Sequence, residues 1–222
     1  MLLHFHVHQE IVTSKRRLII PGLNQSLKLY NFLKLSENNI DVVKFPCNGE
    51  DENLYLNYKL NQYGCFLDNY NEITYDDIFC HSLGSLVFLL NTQKLKFKRA
   101  FLLAPALKTW KPLEVLFNKL SPRIKTPSLN LPSRRAFSFC SISLYKQVID
   151  LQKNVEILCQ SNTYRDLNIT IVHDPRDELV RSCDNFKYFN VFEYYSVDFP
   201  RHLCLDFIER IVAEDKTVEI FS

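Results

Sequence analysis

A serine, a histidine and an aspartate stand in this 222-residue sequence where such side chains do nucleophilic chemistry. Ser82 follows the strand-like segment 77–80, Asp-Ile-Phe-Cys, and opens a leucine-rich segment, 82–90, with helical spacing. A serine at a tight strand-to-helix turn projects its hydroxyl above a sheet edge, and the helix N-terminus beneath it favours developing negative charge. Small neighbours let the backbone make that turn, and here they are Cys80, Gly84 and Ser85. The plainer alternative is a serine that caps a helix after a buried strand. Downstream, the loop His173-Asp174-Pro175-Arg176-Asp177-Glu178 follows one apolar run, and Pro200-Arg201-His202 follows another. Each candidate therefore falls just past the carboxyl end of a strand, where an open α/β sheet gathers its ligands.

The elements that must position these residues alternate between strand-like and helix-like. The expected class is α/β, with a mostly parallel sheet and helices on both faces. Strands are expected at 17–20, 40–45, 77–80, 97–104, 167–173 and 191–199, with an N-terminal hairpin over 2–13. Helices are expected at 25–36, where Leu29, Phe32 and Leu33 share a face, at 82–90, and from Leu203 onward, where Cys204, Phe207, Ile208 and Ile211 do. Residues 52–70 read as a broken helix. The stretch 106–162 carries no strand signal, and it is longer than an ordinary connection. It is expected to be a helical cap insertion between core segments 1–105 and 163–222.

The chain is 46% hydrophobic and carries a formal net charge of +2, so it can bury a core and nothing draws it to nucleic acid. Its seven cysteines, an odd number without a CxxC pair, read as reduced thiols in the cytoplasm. MLLHFHVHQE has no basic region followed by a long apolar run and does not read as a signal peptide. No apolar stretch is long enough to span a bilayer.

Four segments in order resemble the α/β-hydrolase superfamily, in particular small serine esterases and monoacylglycerol-lipase-like enzymes. Leu18-Ile19-Ile20-Pro21-Gly22-Leu23-Asn24 is similar to the family's strand and oxyanion loop, with Pro21 where a histidine is common. Cys80 to Ser85 resembles the GHSLGG nucleophile elbow, with Cys80 for its first glycine. Residues 173–180 resemble the acid loop, with Asp174 for a glycine, and 200–202 the histidine loop. The segment FLLAPALK, residues 101–108, is similar to the approach to the cap. The resemblance implies Ser82 as nucleophile, His202 as base and Asp177 as acid, with the backbone N–H groups of Leu23 and Leu83 as oxyanion hole. It implies hydrolysis of a small-molecule carboxylic ester of an apolar acyl group through an acyl-enzyme, with no cofactor. Asp174, which precedes a proline and reads as a turn former, is the second choice of acid, and Glu178 the third.

Other features are weighed beside this one. His4, His6 and His8 alternate, so on a strand they share a face; a metal site is the lesser reading and a half-exposed strand the greater. Cys80 ends an apolar run and is expected to be a buried, inert thiol. Asn24 reads as a cap for the helix near Gln25. Trp110, Leu113 and Phe117 are expected on a cap helix, either lining an acyl pocket or simply packed on the core. Basic cap residues, Arg134 and Arg135 among them, suggest an acyl carrier protein as partner and hence a carrier-linked ester or thioester hydrolase, of the pimeloyl-carrier methyl esterase type. A peptidase or carbon–carbon bond hydrolase, and a catalytically silent binding domain, are the remaining alternatives.

Overall fold

A computed structural model describes residues 15–49, 55, 58–109, 111–128, 130, 132–177, 183–197 and 201–221. Six parallel strands form one sheet: β1 (Arg17–Ile20), β2 (Ile40–Val42), β3 (Thr74–His81), β4 (Lys96–Leu103), β7 (Ile169–His173) and β8 (Asn190–Glu193), in the order β2-β1-β3-β4-β7-β8. The chain first steps from β1 outward to β2 and then builds in the opposite direction from β3. This reversal puts a topological switch point between the carboxyl ends of β1 and β3, the place where such sheets form a crevice.

Successive strand residues feed two separate cores, as a parallel sheet buried on both faces requires. Leu18, Ile20, Ile78, Cys80, Leu102 and Ile171 face the larger core, shared with helix α1 (Leu83–Leu89) and helix α3 (Ile142–Gln160). Ile19, Phe79, Leu103 and Val172 face the second, covered by the 3-10 helix Leu27–Leu33 and helix α4 (Leu205–Phe221). Cys204, Phe207 and Ile208 are buried there, with Ile211 packed alongside.

Several elements differ from the sequence expectation. The helix expected over 25–36 is the shorter 3-10 helix Leu27–Leu33, and it buries Tyr30 and Leu33 while Phe32 is exposed. With three residues per turn, positions three apart share a face. Residues Leu60–Tyr70 are likewise 3-10 helix. The last strand stops at Glu193 because carboxylates take over its backbone partners: Asp174 accepts the Ser196 N–H and Asp206 that of Val197, both at 2.9 Å. The expected N-terminal hairpin lies outside the described residues.

The 106–162 stretch, expected without strands, contains an antiparallel pair, β5 (Lys125–Pro127) and β6 (Phe139–Ser141), between helix α2 (Lys111–Lys119) and α3. Three-residue strands are too short to leave a periodic signal. Leu144, Leu151, Val155 and Cys159 of α3 belong to the main core, so this helix is a layer of the sandwich. The parts of the stretch that reach the site are the β5–β6 segment and the start of α3.

Candidate active site

Ser82 sits between β3 and α1 with φ 49° and ψ −110°, a conformation that L-residues avoid. The surrounding backbone holds it there: the Ser82 N–H donates to Leu103 O at 3.0 Å, and Ser82 O accepts from Ser85 N at 3.1 Å. Gly84 is required by space, because a Cβ there would lie 2.2 Å from Ile20 O and 2.7 Å from Pro21 O. Ser85 ties its hydroxyl to Cys80 O at 2.8 Å. The Cys80 side chain points into the main core, and burial pushes its thiol well above the usual range, so it stays protonated.

The loop after β7 presents two carboxylates with different partners. Asp174 accepts hydrogen bonds from the Arg176 N–H at 2.8 Å, the Arg176 guanidinium at 2.9 and 2.7 Å, and the Ser196 N–H. The guanidinium holds its carboxyl down at about 2. Asp174 O also accepts the Asp177 N–H at 2.9 Å, and this turn presents Asp177 to His202. His202 Nδ1 and Asp177 Oδ2 are 3.1 Å apart, with both side chains buried. A neutral imidazole that donates from Nδ1 keeps Nε2 as an acceptor. Glu178 and Pro200 lie outside the described residues.

A second histidine joins the site, with a role that motif reading did not reveal. His81 Nε2 donates to His202 O at 2.8 Å, and its Nδ1 accepts from Gln25 Nε2. Gln25 Oε1 in turn accepts from the Gly22 N–H at 2.6 Å and from Tyr30 Oη at 3.1 Å. Asn48 Nδ2 donates to Gly22 O at 3.1 Å and to Gln25 O at 2.9 Å. One buried network thus ties the loop after β1 to the backbone of the histidine loop. Burial pushes the His81 imidazole down to about 3, helped by neighbouring His202. The only sequence signal for Gln25 is a polar residue three positions after Gly22. His173 is buried edge-on against Phe186, and burial lowers its pKa as well.

Ser82 and His202 open on a common cleft of about 90 Å³. Leu23 and Asn24 form its near wall, and Ser128, Asn130, Cys140 and Tyr145 the far one. Asn24 is no helix cap: Ser26 takes that position. Instead Asn24 Nδ2 donates to Ser128 Oγ and Phe137 O, both at 2.9 Å, and Oδ1 accepts from Phe137 N at 2.7 Å. Leu113 and Phe117 lie outside the cleft lining. Phe117 is buried with Ile142 and Ile149, Leu113 packs on that cluster, and the Phe117 ring stacks on Tyr145 at 4.5 Å. Trp110 lies outside the described residues. Arg134 and Arg135 are half-buried and pair through their backbone with residues 25–26.

Among the described residues no group of three His, Cys, Asp or Glu side chains can hold a metal, and His4, His6 and His8 lie outside them. No described helix is long and apolar enough to cross a membrane.

No protein-family model matches the sequence, and no curated protein matches it significantly. Solved structures do match in three dimensions. A monoacylglycerol lipase from Paleococcus ferrophilus superposes with a TM-score of 0.59 at 13% identity, over 89% of this chain and 93% of that one. A soluble variant of monoglyceride lipase from Saccharomyces cerevisiae gives 0.55 at 16% identity, over 92% and 86%. A lipase-esterase related protein from Clostridium acetobutylicum gives 0.50 at 12%, over 93% and 95%. The chain has the α/β-hydrolase fold, in the form seen in these monoglyceride lipases.

Proposed function

We propose that the protein is a serine hydrolase that cleaves carboxylic esters. The observation that carries this reading is the buried His202–Asp177 hydrogen bond opening on the same cleft as Ser82. In the proposed reaction His202 Nε2 removes the hydroxyl proton while Ser82 Oγ attacks the acyl carbonyl. The Oγ–acyl bond forms, the bond to the alkoxy group breaks, and His202 returns the proton to the departing alcohol. Water then attacks the acyl-enzyme by the same route, releasing the acid and restoring Ser82. Asp177 holds the imidazole in the tautomer with Nδ1–H and stabilises the imidazolium.

The backbone N–H groups of Leu23 and Leu83 are the proposed oxyanion donors. Leu83 opens α1, so its N–H has no acceptor within the helix. Leu23 borders the cleft, on a loop that Asn48 and Gln25 clamp at Gly22. This chemistry is complete with these side chains, backbone amides and water. The fold similarity to monoglyceride lipases supports the reading. The carrier-linked alternative would rest on the basic residues of the 106–162 stretch, of which Lys111, Arg123 and Lys125 are exposed and Arg134 and Arg135 half-buried.

The test is a fluorophosphonate probe followed by peptide mass spectrometry. An adduct is expected on the peptide containing Ser82, and none on Ser82→Ala. Asp177→Asn is expected to lower kcat by about four orders of magnitude, as loss of a triad carboxylate does. Asp174→Asn should stay within about tenfold. Absence of any adduct on folded protein would make the domain a silent one.

A further inference from the structure

We propose that the acyl side of the ester is short, about two to four carbons, because the cleft is smaller than the ~150 Å³ cavity that admits benzene, and that Tyr145 sets this limit. The proposal rests on the hydrolase reading above. The cleft beside Ser82 and His202 holds about 90 Å³. That is room for a small acyl group and leaves an extended chain against solvent.

Its walls are not placed to retreat. Asn24 and Asn130 stitch the far wall to the loop after β1: Asn130 Nδ2 donates to Leu23 O and to Asn24 O, both at 3.0 Å, and Asn24 reaches back to Ser128 and Phe137. Ser26 N donates to Arg134 O at 2.9 Å, and Ala136 N to Asn24 O at 3.1 Å. Widening the cleft on this side means breaking several hydrogen bonds together, some shielded from water.

The back wall is aromatic. The Tyr145 ring borders the cleft and lies nearly parallel to Phe117, with 6° between planes. Behind it lies the apolar cluster of Phe117, Ile142 and Ile149. Tyr145 therefore closes the small cleft against this packed cluster. Removing its ring adds the ring's own volume to the cleft and leaves an apolar wall behind it.

The experiment compares kcat/KM for p-nitrophenyl acetate, butyrate and octanoate on the full chain, with the Ser82→Ala background subtracted. Wild type and Tyr145→Phe are expected to fall at least tenfold from butyrate to octanoate. Tyr145→Ala is expected to raise the octanoate-to-butyrate ratio at least tenfold, and Tyr145→Leu to raise it less; the leucine variant serves if the alanine one does not fold. Octanoate turned over as well as butyrate by wild type, with Ser82 still labelled by fluorophosphonate, overturns the short-acyl proposal and leaves the hydrolase reading standing. An unchanged ratio in a folded Tyr145→Ala or Tyr145→Leu protein overturns the role of Tyr145. No turnover on any ester, together with no adduct, overturns the hydrolase reading and this proposal with it.

Discussion

At the scale of single residues, the site is built on strain and close approach. Ser82 holds φ 49° and ψ −110°, a conformation that costs a non-glycine residue on the order of 1–3 kcal/mol. Gly84 answers the same turn from the other side, since only a residue without Cβ fits against Ile20 O. Ser82→Gly should therefore be more stable than wild type by about 1 kcal/mol, the relief of strain outweighing the added freedom of the unfolded chain, while losing all fluorophosphonate labelling. Urea denaturation measures the first effect and mass spectrometry the second. A glycine variant less stable than wild type would mean that the turn carries no strain. A serine in this conformation is consistent with the proposed use of its hydroxyl.

Elements position these residues through register. Pairing of β1, β3 and β4 sets Asp77 directly beside Arg17 on one neighbour and Arg99 on the other. Asp77 is fully buried; Arg17 Nε lies 3.5 Å from Oδ2, and Arg99 Nη2 donates to Oδ2 at 3.2 Å. This cluster locks the three strands whose carboxyl ends carry Gly22, Ser82 and the start of the 106–162 stretch. Asp77→Ala is expected to destabilise the protein by about 3 kcal/mol, because it removes a fully buried carboxylate that the Arg17 and Arg99 guanidinium groups share. Chemical denaturation followed by far-UV circular dichroism reads this directly. A loss below about 1 kcal/mol would place the cluster with ordinary surface pairs.

For the molecule as a whole, the buried network under the site ties stability to pH. His81 is held at about 3 in the folded state, against about 6.5 when unfolded. Its contribution is present in full above the unfolded value and erodes as pH falls from about 6.5 towards 3, because only the unfolded chain then takes up the proton. The slope from this one group is on the order of 1 kcal/mol per pH unit. Asp174, held at about 2, acts in a separate window, with stability lost as pH falls from about 4 to 2. Wild type should thus lose more stability between pH 7.5 and 5.0 than His81→Gln, measured as the shift in urea midpoint. Equal shifts would mean that His81 does not reside neutral in the fold.

What the sequence determined by itself is whatever resides in short stretches of chain. Alternating apolar runs specified a parallel sheet covered on two faces, because such strands must bury both sides. The small residues about Ser82 and the loops that carry Asp177 and His202 are local patterns as well, each legible within a few positions, and their order is read along the chain. The 3-10 segments and the three-residue strands β5 and β6 were not legible, since their length is below any period. The sequence already ranked Asp177 ahead of Asp174, and tertiary structure supplied the physical reason: Arg176 and Ser196 claim Asp174, and Asp177 faces His202. Tertiary structure alone brought Gln25 to His81 across 56 positions, and His81 to His202 across 121. The size of the cleft, with Leu113 and Phe117 packed behind Tyr145, was decided there too. Residue spacing encodes neither long-range register nor the volume left over once side chains have packed.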